Sequence, residues 1–234
     1  MAGAVALVAV LAVGLALGRS LATSTAPTPA PGTALAALAT LDVGAEDPFD
    51  GYVRESFAWR EDVDRNGCDT RNDVLRRDLT ELDIREGTND CKVDSGVLLT
   101  DPYTGTRIDF VIGTGPSSDG GIQIDHVVAL ANAWVTGAQG WSEDTMVQFG
   151  NDPLNLLAVD GPANQAKGSG DASEWLPPST AYRCAYVARQ IAVKDAYDLR
   201  VTPSEHDAMA DVLATCPDEP LPTRAATQTP RGLP

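Results

Sequence analysis

Four cysteines, at positions 68, 91, 184 and 216, constrain this chain most, because bridges between them fix which segments lie together. Whether they bridge depends on the compartment. Ala4 to Leu17 is an apolar run of Ala, Val and Leu interrupted only by Gly14. It falls short of the roughly 20 residues of a membrane span and suits the h-region of an export signal. Ser20-Leu21-Ala22 then offers a small-x-small cleavage site. The positive residues that usually precede an h-region are missing, so an uncleaved N-terminal membrane anchor stays open as the alternative. In an exported chain the four thiols form two disulfides, with three pairings open. Sequence order favours Cys68 with Cys91 and Cys184 with Cys216. Chain-entropy arguments put each bridge at about 3 to 4 kcal/mol. A zinc site is disfavoured, since no C-x-x-C pair occurs.

Composition then divides the chain. Residues 1–22 read as signal or anchor, and 23–45 as a linker rich in Ala, Thr and Pro that offers little core-forming surface. Residues 46–216 are long enough for one domain with a sizeable core. Residues 217–234 turn to Pro, Thr, Arg and Gly and read as a disordered tail.

Local patterns predict an α+β domain. Val97–Thr100 and Arg107–Val111 flank the turn Asp101-Pro102-Tyr103-Thr104-Gly105, as in a β-hairpin. Ile122–Ile124 reads as a short strand that runs into Asp125-His126, and Val127–Ala138 has helical character. Leu156–Val159 is a second short strand, stopped by Asp160-Gly161-Pro162, after which Ala163–Lys167 begins a helix. Thr180–Tyr197 reads as an amphipathic helix carrying Cys184. Thr202-Pro203-Ser204-Glu205 is a capping box that starts a helix over Pro203–Ala214.

The chemistry concentrates around one of only two histidines. His126 follows an aspartate at the end of an apolar run, whereas His206 sits in the first turn of the capped helix and needs no other explanation. His126 can take a proton near neutral pH. Asp125 and Asn164 offer hard oxygens of the kind that hold Mg²⁺, or equally Mn²⁺, with several waters retained.

The stretch IQIDHVVALANAW, NDPLNLLAVDGPANQAKG and DASEWLPP, from Ile122 to Pro178, resembles the secreted HNH endonuclease family proteins of the DUF1524 type found in actinobacteria. The likeness extends upstream through NGCDTRNDVL and DPYTG and downstream through YRCAYVARQIAV, from about Asp47 to Cys216. The resemblance implies a ββα-metal core. It casts His126 as general base, Asp125 and Asn164 as metal ligands, Asn155 as the residue orienting the base, and Lys167 as a phosphate contact. It also implies a nucleic-acid substrate, DNA or alternatively RNA, with no stable protein partner.

Two features pull against this. The net charge of −16 opposes broad attraction to nucleic acid, so a local lining from Arg65, Arg71, Arg76, Arg77, Lys167, Arg183 and Arg189 is needed. Asp62, Asp64, Asn66, Thr70 and Asp73 also follow the start of an EF-hand loop and raise a Ca²⁺ site. Cys68 intrudes into that loop and the last ligand is one methylene short, so a turn followed by an N-capped helix is preferred. The expectation is a secreted, disulfide-stapled, metal-dependent endonuclease. The alternative is a non-catalytic extracellular binding module, with calcium as one candidate ligand.

Overall fold

Two five-residue runs, IQIDH and LLAVD, become the strands on which the rest is arranged. The computed structural model describes residues 29–115 and 119–228. Its elements are α1 (Ala34–Leu38), α2 (Thr70–Asp78), β1 (Thr80–Ile84), β2 (Val93–Leu98), β3 (Ile108–Val111), β4 (Ile122–His126), α3 (Leu130–Thr136), α4 (Glu143–Gly150), β5 (Leu156–Asp160), α5 (Gly161–Lys167), α6 (Arg183–Ala196), α7 (Pro203–Leu213) and α8 (Arg224–Gln228). β1, β2 and β3 form an antiparallel sheet in that order, and β4 pairs with β5 antiparallel in a second sheet. The expected α+β class and the β2–β3 hairpin are present. β1 was not expected from the sequence.

Register divides the second sheet into two faces. Ile124 lies opposite Ala158, Asp125 opposite Leu157 and His126 opposite Leu156. Side chains alternate along a strand, so Ile122, Ile124, Leu156 and Ala158 pack with Val74, Leu75, Leu98 and Phe110. Leu157 and Val159 join Tyr103, Tyr186, Val187, Ile191 and Met209 on the other side. β5 is thus covered on both faces, with α2 and the three-stranded sheet beyond one and α6 and α7 beyond the other.

Such a pair of strands leaves the outer edge of β5 without a backbone neighbour, which is costly when buried. Side chains fill the edge instead. Leu156 O accepts from Arg77 Nη2 at 2.7 Å and Arg189 Nη2 at 2.8 Å. Ala158 N–H donates to Asp78 Oδ2 at 3.0 Å, and Asp160 N–H to Asp101 Oδ1 at 2.9 Å. The same guanidiniums reach back to Pro153 O, and Arg189 also to Leu154 O. Arg77 and Arg189, expected in a substrate lining, are therefore buried scaffold residues.

The capping box at Thr202 forms as expected, and Glu205 continues inward to a buried ion pair with Lys194 Nζ at 2.7 Å. α3 starts three residues later than the expected helix, because the Val127 and Val128 backbone is bonded to Asn155. α6 starts at Arg183 after a 3₁₀ turn at Thr180–Tyr182. Asp69 caps α2 through Asn72 N–H. In the loop before it, Asp62 and Asp64 accept from the Asn66 and Gly67 amides, and Asp73 from Asn66 Nδ2. These bonds form the expected turn and capped helix.

Two assignments of the termini need correction. The stretch read as linker carries α1, whose Ala34 and Leu38 are buried in the core shared with α6 and α7. The ordered region therefore starts before Glu46, because two apolar positions one helical turn apart suffice to dock a short helix on a ready-made core. The stretch read as a disordered tail also returns to the fold. Pro220 bridges to Thr33, and Arg224 Nε reaches Asp152 Oδ2 at 2.8 Å. The expected signal segment, residues 1–22, and positions 229–234 lie outside the described residues. No helix among those described is long and apolar enough to cross a membrane.

Cys68 is bonded to Cys91 and Cys184 to Cys216, as sequence order favoured. The second bridge closes 32 residues and ties α6 to the end of α7. Replacing Cys184 and Cys216 together by serine should lower unfolding stability by about 3.5 kcal/mol on chain entropy alone. Denaturant titration against the parent protein checks this.

Candidate active site

β4 ends at His126, so the adjacent Asp125 and His126 point to opposite faces of the strand. Each is held by a different set of contacts. Asp125 is 6% exposed. One carboxylate oxygen accepts from Lys167 Nζ at 3.0 Å and the other from the Tyr103 hydroxyl. Burial pushes its carboxyl above the usual range, while the Lys167 ammonium and the Tyr103 hydroxyl pull it back. Burial also drives the Tyr103 phenol well above its ordinary value, and the Asp125 charge adds to this. Tyr103 therefore stays a donor.

His126 is 5% exposed. Its Nε2 lies 2.8 Å from Gly150 O, and a carbonyl can only accept, so Nε2 carries the proton and Nδ1 keeps its lone pair. Burial lowers the imidazole pKa from 6.5 to about 3. The Gly150 contact opposes that shift, and the Arg54 and Lys167 charges add to it. The ring is thus neutral and in one tautomer.

Gly150 is glycine for a steric reason. A Cβ there would come within 2.3 Å of Phe57 O, so only a bare backbone lets the end of α4 approach close enough for its carbonyl to meet His126. Asn151, the next residue, bridges to Ala58 O and the Arg60 amide. That loop sets Trp59 edge-on against the His126 ring at 5.7 Å.

Asn155 is wholly buried. Its Oδ1 accepts from Val128 N–H at 2.8 Å, its Nδ2 donates to Val128 O at 3.1 Å, and its carbonyl accepts from Val127 N–H. It touches the backbone just after His126 rather than the ring. Asn164, in α5, donates Nδ2 to Gln123 Oε1 at 2.9 Å, which turns its amide oxygen away from that partner. Gln123 and Asp125 share a face of β4, so Asn164 stands beside the strand face that carries Asp125. Asp125 and Asn164 thus border one face of β4, and a carboxylate and an amide oxygen are the kinds of oxygen that a hard divalent cation accepts.

Lys167 departs from expectation. Its ammonium is fully buried and bonds Asp125 Oδ1 and His126 O, the latter at 2.9 Å. α5 delivers it into the core, where it ties the two central residues together. Among the described residues no hydrogen bond joins Asp125 to Asn164 or the His126 ring to Asn155. Sequence reading missed Tyr103, Gly150, Asn151 and Trp59. Only Tyr103 carried a signal, its place in the DPYTG turn. A cavity of about 610 Å³ lies between the Val63–Val74 segment and Tyr197, Arg224 and Gln228, with Asn151 in its wall.

Comparison with known proteins gives three findings. The family described as GmrSD restriction endonucleases, C-terminal domain, matches residues 69–212, which contain every residue of the candidate site named above except the Phe57–Arg60 segment. A protein of Arthroderma benhamiae described as an uncharacterized secreted protein is 39% identical over 188 residues, covering 79% of this chain and 85% of that protein. No solved structure matches.

Two outcomes follow from the geometry. The folded imidazole takes a proton near pH 3 and the unfolded one at 6.5. The unfolded state binds more protons between those values, so this contribution to stability is complete above 6.5 and lost as pH falls toward 3. Nitrogen-detected NMR should show His126 as the neutral Nε2–H tautomer from pH 7 down to 4.5, and an imidazolium signal at pH 5 would contradict it. Gly150→Ala should cost about 1 to 3 kcal/mol through forced backbone displacement and should broaden or shift the His126 ring signals.

Proposed function

Because the chain belongs to the family of the C-terminal domain of GmrSD restriction endonucleases, we propose that it is an exported, metal-dependent endonuclease of the HNH type. In this reading it hydrolyses phosphodiester bonds of nucleic acid, DNA foremost. The observation that carries it is the His126–Gly150 hydrogen bond, which leaves Nδ1 as a proton acceptor. Export is supported by the two disulfides and by the description of the relative as secreted. The DUF1524 likeness and the ββα-metal core belong to the same proposal, supported by the order β4, β5, α5.

His126 acts as general base. A pKa of about 3 keeps the ring neutral but makes it a weak acceptor in the free protein. A phosphodiester anion placed beside the ring favours the protonated form and raises that pKa, so basicity grows as substrate binds. Asn155 is a positioning residue, fixing the Val127–Val128 backbone that fixes the ring. Lys167 is another, fastening Asp125 to the His126 carbonyl. Asp125 and Asn164 would hold the metal, Mg²⁺ by preference and Mn²⁺ by equal chemistry. Such an ion, when bound, supplies Lewis-acid stabilisation of charge developing on the phosphate. Tyr103, kept protonated by burial, holds the second oxygen of Asp125 in place.

Plasmid nicking with and without chelator tests the reading. Wild-type protein should nick, and chelator should stop it. His126→Ala should lower turnover by about two or more orders of magnitude without rescue by added metal. The defect of Asn164→Ala should be partly relieved by excess Mg²⁺ or Mn²⁺. His206→Ala and Asp73→Ala should behave as wild type. A folded His126→Ala protein that cuts at the wild-type rate would refute the mechanism.

A further inference from the structure

The loop beside His126 is held in an unusual shape. Ala58 and Arg60 both have positive φ, 39° and 84°, a region that residues with side chains rarely enter and that clusters near functional sites when the surroundings enforce it. Asn151 is the enforcer. Its Oδ1 accepts from Arg60 N–H at 3.0 Å and its Nδ2 donates to Ala58 O at 3.2 Å, on either side of Trp59. The Arg60 guanidinium in turn lies over the Trp59 ring, 4.3 Å from its centroid. Arg60 is therefore one aromatic ring away from the candidate base.

Charge at this place runs against the rest of the molecule. Acidic residues outnumber basic ones by 33 to 17, yet Arg60 and Arg71 line one cavity of about 250 Å³. Burial lowers the Arg71 pKa and the Arg60 charge lowers it further, with Asp119 and Asp69 in partial opposition. Arg85 and Lys92, also in the lining, have Asp94 and Asp69 as ion-pair partners. Arg60 pairs with no carboxylate among the described residues. Two guanidiniums facing one cavity repel each other, Asp69 and Asp119 act against that repulsion at Arg71, and a bound anion would act against it further.

We propose that Arg60 and Arg71 form a phosphate-binding cleft that holds the backbone of a nucleic-acid strand beside His126, with Trp59 as the spacer that positions Arg60. A guanidinium presents a fork of N–H donors that matches phosphate oxygens, and stacking on an aromatic face orders it in advance. Contacts of this kind grip the strand without reading its sequence. The cleft explains how so acidic a protein engages a polyanion: attraction is confined to one edge. The proposal rests on the nuclease reading and extends it to the substrate backbone.

The test is fluorescence anisotropy of a fluorescein-labelled single-stranded thymidine oligonucleotide, with chelator present so that it is not cut. Arg60→Gln should weaken binding about tenfold and flatten the salt dependence by about one unit of slope. Trp59→Leu should shift both in the same direction. Arg107→Gln, an exposed residue paired with Asp109, should change neither. In cleavage assays Arg60→Gln should raise KM with kcat retained, whereas His126→Ala should lower kcat with oligonucleotide affinity retained. The cleft is overturned if Arg60→Gln binds with wild-type affinity and salt slope, or if Arg107→Gln loses as much. A wild-type protein that cuts nothing but loses affinity on Arg60→Gln keeps the cleft and discards the nuclease. One that cuts normally in both forms, with unchanged KM, discards the cleft alone.

Discussion

The buried edge of β5 is the constraint on which the structure turns. Two strands enclosed between apolar layers must satisfy their outer backbone groups without a third strand, and here Arg77, Asp78, Asp101 and Arg189 do so. Side chains can stop at chosen groups where a strand would pair all of them. The Pro153, Leu154 and Leu156 carbonyls are thereby gathered under two guanidiniums, and that turn holds Asn155 against the backbone following His126. Charge buried in this way needs complete hydrogen bonding. The bidentate Arg77–Asp78 pair supplies part of it.

The site inherits its rigidity from that turn and from its neighbour. Gly150 and Asn151 end α4 and make contact in two directions, the carbonyl to His126 and the side chain to the loop bearing Trp59. The same two residues therefore set the tautomer of His126 and the place of Trp59 and Arg60 beside it. Lys167 performs the matching task on the opposite face of β4, joining Asp125 to the carbonyl of His126. The His126 imidazole and the Asp125 carboxylate are held apart on two faces of one strand yet fixed by a common backbone.

Much of this was legible in local sequence. The pairing of cysteines by sequence order, the capping box at Thr202, the hairpin around Asp101–Gly105 and the strand, turn and helix around β5 and α5 all rest on neighbours within a few tens of residues. The basic residues were misread for a physical reason. Arg, unlike Leu, looks the same in sequence whether it faces water or a cluster of carbonyls, and only the fold shows that Arg77, Arg189 and Lys167 point inward. The short helix α1 was missed because its apolar residues acquire meaning only beside α6 and α7.

The sequence by itself determined the class of the domain and the position of an Asp-His pair at a strand end, and it favoured the pairing of the cysteines and a nuclease-type family. Each of these is written in residue type and short-range order. The tertiary structure alone decided that the imidazole is neutral with its proton on Nε2, that Lys167 faces Asp125, and that Trp59 and Arg60 stand beside His126. Those facts depend on contacts between residues far apart in the chain, such as Asn151 with Arg60 across 91 positions. A hydrogen bond or an electrostatic shift exists only where the folded chain brings its two groups within a few ångströms of each other.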